Sequence, residues 1–216
     1  MNALLLGLVL AGPLQEEVPS PERMAGDLEM GVRLFHQGRY TTAIARLDSA
    51  LVDAPDSARA FLYRGLCRQD LHQSAGAVSD LARAHALAPD LLPASVALAR
   101  AWLDTGQLPE AEALLMDLIR SHPRDPDLHF VLGLCLVRLG RTGDAVAPLS
   151  HALTLAPLHP DAPHAHFMMA TALEEAGRPV EAAHERALSL EKKKWLAFLV
   201  RRQEQLRENP EDPRIH

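Results

Sequence analysis

The sequence repeats itself with a period of about 34 residues, and this period restricts the fold more than any other feature of the chain. Four blocks follow one another without a gap, and a fifth begins after three extra residues. The five blocks cover residues 24–57, 58–91, 92–125, 126–159 and 163–190. A period of this length is typical of helical hairpins that stack side by side, whereas a generic helical bundle has no reason to repeat its turns.

Four positions of the block recur in register. The eighth position carries the small residues Gly31, Gly65, Ala99, Gly133 and Ala170, and the twentieth carries Ala43, Ala77, Ala111, Ala145 and Ala182. The twenty-fourth is Leu47, Leu81, Leu115 and Leu149, and the thirty-second is Pro55, Pro89, Pro123 and Pro157. Two antiparallel helices joined by a short turn cross closely, so only Gly or Ala fits where their backbones meet. The leucines are expected to fill the space between one hairpin and the next, and each proline ends a helix.

This combination of positions resembles the tetratricopeptide repeat family over residues 24–190. The resemblance implies an all-α fold, a right-handed superhelical solenoid of about five hairpins closed by a C-terminal helix at 191–208. Arg186 stands where the fifth block should have leucine, and that block lacks the closing proline. Its second helix is therefore expected to be irregular or to run on into the next segment. Pro148 predicts a kink in the second helix of the fourth block.

The resemblance also implies that the inner face of the first helices forms a groove for a partner peptide. Positions five, nine and twelve of each block should line it. The candidate peptide-binding residues are Leu28, Val32, Phe35, Leu62, Leu66, Val96, Arg100, Leu103, Phe130, Leu134, Val137 and Phe167. Only one of them is basic, which excludes a clamp for a C-terminal carboxylate and favours an amphipathic helix or an extended apolar segment as the ligand. The alternative is that the protein's own chain covers these residues.

The C-terminal helix contains an apolar run at residues 195–200, WLAFLV, with Lys192, Lys193 and Lys194 before it and Arg201 and Arg202 after it. One interpretation is a helix that dimerises or lies on a membrane surface. The other is a helix buried on two sides within the same chain. Residues 209–216 hold two prolines and are predicted to be disordered.

Several classes of function do not fit the composition. A net charge of −6 and 4% aromatic residues argue against a nucleic-acid partner. Cys67 and Cys135 lie two repeats apart, beyond the reach of a disulfide, and are predicted to be buried. No catalytic motif stands in a recognisable context, so the chain is not expected to be an enzyme or to need a cofactor.

One loop between repeats has residues of the type that bind zinc. It contains His159, Asp161, His164 and His166. Their spacing does not place two ligands on one face of a helix, and Pro160 and Pro163 are typical of a long turn. The sequence therefore predicts a solvated, histidine-rich turn and no metal site.

These features together predict a non-enzymatic scaffold or adaptor that binds another protein or a peptide segment in its concave groove. The alternative is a structural, self-assembling subunit, a homodimer that associates through the apolar run of the C-terminal helix. The mass under native conditions distinguishes a monomeric adaptor from a stable dimer.

The first eleven residues contain the apolar run ALLLGLVLA at Ala3–Ala11, which is too short to span a membrane. Residues 1–11 are predicted to be a signal peptide, followed by a linker at 12–23. The protein would then be exported or periplasmic, and otherwise cytoplasmic. The alternative is an apolar arm that packs on the first helices.

If residues 1–11 direct export, the mature protein should begin between Gly12 and Val18, because small residues near Ala11 offer a cleavage point. Amino-terminal sequencing of the protein from its native cell tests this expectation. An intact Met1 on that protein would contradict it.

Overall fold

The computed structural model describes residues 21–208, and within them it contains ten α-helices and no strand. The helices are α1 Pro21–His36, α2 Tyr40–Asp53, α3 Ala58–Asp70, α4 Ser74–Leu87, α5 Leu92–Thr105, α6 Leu108–Ser121, α7 Pro126–Arg138, α8 Thr142–Leu155, α9 Ala162–Glu175 and α10 Pro179–Glu208. They form five hairpins, one for each block, so the predicted all-α solenoid is confirmed. The predicted leader 1–11 and tail 209–216 lie outside the described residues. Helix α1 begins at Pro21, inside the segment 12–23 that was expected to be a linker.

The hairpins stack in chain order, and the two helices of a hairpin make different contacts. Each first helix contacts the next first helix, α1 with α3, α3 with α5, α5 with α7 and α7 with α9. Within residues 21–208, no second helix contacts another second helix. The first helices therefore lie closer together and form the inner face of the stack, while the second helices form its outer face.

The two helices of a hairpin meet where a glycine faces a leucine. A Cβ atom built on Gly31 would lie 2.7 Å from Cγ of Leu47, and one on Gly65 would lie 2.7 Å from Cγ of Leu81. On Gly133 it would lie 2.5 Å from Cγ of Leu149. These leucines are fully buried. The predicted register is confirmed, but each of these leucines packs against the glycine of its own hairpin and not only between hairpins.

The turn inside each hairpin requires a left-handed residue at the fifteenth position of the block. Gly38, Gly106, Gly140 and Gly177 have φ values between 71° and 82° there. In the second block His72 takes the same conformation with a φ of 58°. The turn geometry is thus common to all five hairpins, because a left-handed residue is needed to reverse the chain so tightly.

A buried ionic contact fixes the second hairpin. Asp80 on α4 is buried, and its carboxylate accepts hydrogen bonds from Nε and Nη2 of Arg64 at 2.8 and 2.7 Å. It also accepts one from Nη1 of Arg68 at 2.6 Å. The bond to Asp80 raises the pKa of the Arg64 guanidinium. Both arginines lie on α3, so Asp80 stabilises the packing of α3 on α4.

The fifth repeat departs from the others, as its sequence indicated. The second helix of the fifth block runs on into the next segment, one of the two outcomes expected, because α10 continues without a break from Pro179 to Glu208 and includes the C-terminal helix predicted at 191–208. No Gly or Pro occurs between residues 180 and 208 to end it. Arg186, which replaces the expected leucine, forms an ion pair with Glu174 on α9.

Helix α8, the second helix of the fourth block, continues through Pro148.

Helix α10 is held by α9 alone among the described elements. Ala182 is fully buried against α9, and Nδ1 of His166 lies 2.6 Å from Oε2 of Glu185. The Ser189 hydroxyl donates to the carbonyl oxygen of Pro163 at 2.7 Å. None of the helices within residues 21–208 combines the length and the apolar content needed to cross a membrane.

Replacing Gly133 by leucine should destabilise the fourth hairpin, because the new side chain meets buried Leu149. The cost of overpacking is about 1–3 kcal/mol, which should lower Tm by about 2–12 °C. Gly143→Leu is the matched control, because nothing lies within 4 Å of a Cβ at that position. Thermal unfolding followed by circular dichroism measures both variants, and equal melting temperatures would show that the glycine–leucine contact does not limit the packing.

Candidate peptide-binding groove

The predicted groove residues lie on the inner face of the stack, but they do not form one continuous accessible surface. Four of them are buried and pack between repeats: Val32, Leu62, Leu103 and Phe130, with exposed fractions of 7%, 5%, 3% and 3%. These four belong to the core and offer almost no surface to a ligand, contrary to expectation. Leu28, Phe35, Leu134 and Val137 are half-buried against the same core.

One accessible part of the groove is a pocket of about 340 Å³ between α3 and α5. Leu66 on α3 and Val96 on α5, both predicted, line its apolar floor together with Leu92 and Ala97. Predicted Arg100 stands at its edge. The pocket forms here because successive first helices contact each other and leave a depression along the line of contact.

Acidic residues that the sequence analysis missed form the rim of this pocket. Asp125 and Asp127 stand at the start of α7 and line the pocket beside Arg100. Asp125 also caps α7, because its Oδ1 accepts a hydrogen bond from the amide of Leu128 at 3.2 Å. Asp127 is at the second position of its block and contacts Arg100 at the ninth position of the block before it, a contact that the stacking of first helices brings about.

Arg100 connects three successive repeats across the inner face. Its Nη2 lies 3.2 Å from Oδ1 of Asp127 at the start of α7 and 3.2 Å from Oδ2 of Asp161 just before α9. Its guanidinium lies 5.6 Å from the centre of the Phe130 ring, which also contacts the rings of two histidines near the start of α9 and packs in the core. Because all three charged groups are part-exposed, each ion pair contributes at most about 1 kcal/mol.

The histidine-rich loop does not form the four-residue cluster that its sequence suggests. His166 is buried and contacts Glu185, so its predicted place in a solvated turn is wrong. His164 lies against the Phe130 ring at a centroid distance of 6.0 Å. His159 and Asp161 instead meet Asp127, and one ligand atom of each lies within 4.8 Å of the others. A metal ion at that point would have to displace Arg100, which already contacts both carboxylates.

Phe167, the last predicted groove residue, lies apart from this pocket. It is 54% exposed and lines a second depression of about 430 Å³, beside Lys193 and Leu196 of α10. No residue of α10 lines the first pocket. Among the described elements α10 contacts only α9, so residues 179–208 do not cover the pocket between α3 and α5.

Both cysteines are buried and free, as the sequence analysis expected. Burial raises the pKa of the Cys67 thiol to about 11, and burial also raises the pKa of the Cys135 thiol. Sγ of Cys135 donates to the carbonyl oxygen of Leu108 at 3.4 Å. A nucleophilic cysteine needs a lowered pKa and access to solvent, so neither thiol has the properties of a catalytic group.

Comparison with known proteins agrees with this architecture. A model of the tetratricopeptide repeat family matches residues 28–91 and 96–160, and a second model with the same description matches residues 163–183. The chain is similar to MamA (residues 41 to the end) from Desulfovibrio magneticus RS-1, with 16% identity over 82% of this chain and 98% of that one, at a TM-score of 0.71. It is also similar to TTC0263, a thermophilic TPR protein of Thermus thermophilus, with 28% identity over 82% and 96% of the chains, at a TM-score of 0.63. The sequence matches no curated protein.

The raised thiol pKa predicts that the native protein reacts slowly with a thiol reagent. With a pKa of about 11, only about one Cys67 in a thousand is a thiolate at pH 8, and burial blocks access as well. Titration with Ellman's reagent at pH 8 should show no rapid reaction in the folded protein and two equivalents after unfolding in guanidinium. A rapid equivalent in the native protein would contradict the burial of these cysteines.

Proposed function

The chain belongs to the tetratricopeptide repeat family, and we propose that it is a protein-interaction adaptor that holds a peptide segment of its partner on the inner face of the first helices. The observation that carries this proposal is the pocket between α3 and α5, which joins an apolar floor to an acidic rim. Members of this family are generally non-enzymatic interaction scaffolds. We infer the same class of function for this protein.

The dimensions of the pocket support a peptide as its ligand. A volume of about 340 Å³ falls at the small end of the range for ligand sites, roughly 300–1,000 Å³, and accepts one large side chain. Burial of one Leu or Phe side chain contributes roughly 1.5–3 kcal/mol, which is too little for stable binding by itself. The ligand must therefore extend along the inner face and make further contacts with neighbouring repeats.

The charge at the rim of the pocket indicates which residues the peptide should carry beside its apolar anchor. Two carboxylates, Asp125 and Asp127, line this end of the pocket with a single cation, Arg100. Arg100 also pairs with Asp161 outside the pocket, so the rim has an excess of negative charge. A peptide that places Lys or Arg next to its apolar anchor would be attracted to this end. We therefore propose a segment with a large apolar residue followed or preceded by a basic one.

The place where the adaptor works depends on the amino terminus. With residues 1–11 acting as an export signal, we propose that it binds its partner in the cell envelope or periplasm. Without export, the same groove would serve a cytoplasmic partner.

The alternative function, a subunit that self-associates through α10, is supported by the exposure of Trp195 and Phe198. It is opposed by charge, because every copy carries the same five cations at the ends of the apolar run. We therefore rank the adaptor first.

Filling the pocket should abolish peptide binding without removing any core atom. Gln69 on α3 lines the pocket and is replaced by tryptophan, whose indole ring would occupy the space of the anchor residue. Random peptides displayed on phage are selected on the wild-type protein, and we expect enrichment of a large apolar residue beside Lys or Arg. The affinity of a selected peptide should fall at least about tenfold in Gln69→Trp.

Gln37→Trp is the matched control, because Gln37 is exposed in the turn between α1 and α2 and lines no part of the pocket. It should bind the selected peptide as the wild type does. Asp127→Asn should reduce the preference for the basic residue more than the preference for the apolar one. If no peptide is enriched, or if both tryptophan variants bind equally well, the pocket is not the binding site.

A further inference from the structure

The C-terminal half of α10 exposes large apolar side chains that no other described element covers. Trp195, Phe198 and Val200 have exposed fractions of 39%, 55% and 53%. The last helix of a solenoid has no further repeat to pack against. Its outer face is therefore normally polar and exposed to solvent. The apolar surface of α10 is therefore at odds with a simple capping role.

The lengths of the last two helices explain why this surface stays uncovered. Helix α9 has 14 residues and α10 has 30, which correspond to roughly 21 Å and roughly 45 Å of helix. Since α10 contacts only α9 among the described elements, its C-terminal part extends past the end of the stack. Within residues 21–208, no second element packs against this part of the helix.

The charged residues nearest to the apolar run all have one sign. We use the term basic apolar segment for residues 192–202, which contain Lys192, Lys193, Lys194, Arg201 and Arg202 and no carboxylate. None of the three lysines lies within ion-pair distance of a described carboxylate, whereas arginines of the repeats such as Arg141 and Arg178 do. The segment is positive in a chain whose net charge is −6.

We propose that the basic apolar segment binds the surface of an anionic lipid bilayer. Trp195 and Phe198 would enter the region between the headgroups and the acyl chains, where aromatic side chains are favoured. The lysine and arginine side chains are long enough to keep their charges at the level of the lipid phosphates while their methylene groups cover apolar surface. Each cation near an anionic leaflet strengthens the attraction, so the two features act together.

A second copy of this chain fits the segment less well. Two copies that meet antiparallel about the centre of the run, between Ala197 and Phe198, would maximise their apolar overlap. That pairing sets Lys194 opposite Arg201 of the second copy, and Lys193 opposite Arg202. Like charges placed opposite each other destabilise an interface, whereas an anionic bilayer neutralises all of them.

The lipid site is separate from the proposed peptide site. The peptide pocket lies between α3 and α5, and no residue of the basic apolar segment lines it. A bound bilayer would hold the end of the solenoid while the pocket between α3 and α5 stays accessible to a partner. Failure of one proposal therefore leaves the other untouched, because each is tested with its own ligand and its own variants.

The test measures flotation of the full chain with two kinds of vesicle. One kind contains phosphatidylcholine with about 30% phosphatidylserine, and the other contains phosphatidylcholine alone. We expect the protein to float with the anionic vesicles and not with the neutral ones. Its binding should weaken as the salt concentration rises, since salt screens the attraction between cations and headgroups.

Reversing the charge of the three lysines tests the electrostatic contribution to vesicle binding. The triple variant Lys192→Glu, Lys193→Glu, Lys194→Glu should lower the partition coefficient on anionic vesicles at least about tenfold. The matched control, Arg83→Glu, Arg120→Glu, Arg124→Glu, makes the same change of charge at three exposed positions of the repeats. It should keep at least half of the wild-type binding. Far-ultraviolet circular dichroism confirms that both variants are folded.

Removing one aromatic ring tests the apolar contribution to vesicle binding. Phe198→Ser should weaken binding several-fold, whereas Val52→Ser, at an exposed position of α2, should leave it unchanged. Tryptophan emission should move to shorter wavelengths when anionic vesicles are added, and the Trp195→Phe variant should lose this change. The other tryptophan, Trp102, is half-buried in the core of the stack.

Absence of flotation with anionic vesicles would overturn the proposal. So would binding that survives both the lysine reversal and Phe198→Ser, because it would then belong to another part of the chain. A dimer in sedimentation equilibrium that Phe198→Ser dissociates, together with no vesicle binding, would assign the segment to a second copy instead.

Discussion

The close approach of two helix backbones at a glycine is the contact on which this solenoid depends. Gly31, Gly65 and Gly133 each face a buried leucine of the partner helix, at a distance that leaves no room for a Cβ atom. The leucine fills the gap that the missing side chain creates, so each of these three hairpins is fixed by one small and one large residue. Since the pair recurs at the same positions of the block, these hairpins take similar shapes and stack in register.

Stacking then determines where a ligand has access. First helices contact one another along the inner face, and their side chains at the points of contact become buried. Phe130 is such a case, since Arg100 lies over its ring and reaches Asp127 and Asp161 at the same time. The pocket between α3 and α5 stays open, with an apolar floor and an acidic rim. A ligand in the proposed peptide site would therefore meet only a few positions of the long inner face.

The repeats and the C-terminal helix differ in their basic residues. The repeats are rich in arginine, and most of these arginine side chains form ion pairs with aspartate or glutamate. One example is the contact of Asp80 with Arg64 and Arg68. All three lysines of the sequence lie together on α10, next to an apolar run. A helix that ends the stack and carries both features has the properties of an attachment segment. If α10 binds a bilayer as proposed, the solenoid would present its groove at a fixed distance from that surface.

The sequence by itself determined the five hairpins, their register and the burial of both cysteines. These follow from contacts between residues that are close in the chain, such as Gly133 and Leu149, so a local pattern is enough to predict them. The same reasoning failed for Val32, Leu62, Leu103 and Phe130, which share their positions in the block with residues that stay accessible. Only the tertiary structure decided which of them are covered, because that depends on neighbouring repeats. Asp161 reaches Arg100 from 61 residues away, and no periodicity within one block specifies such a contact between blocks.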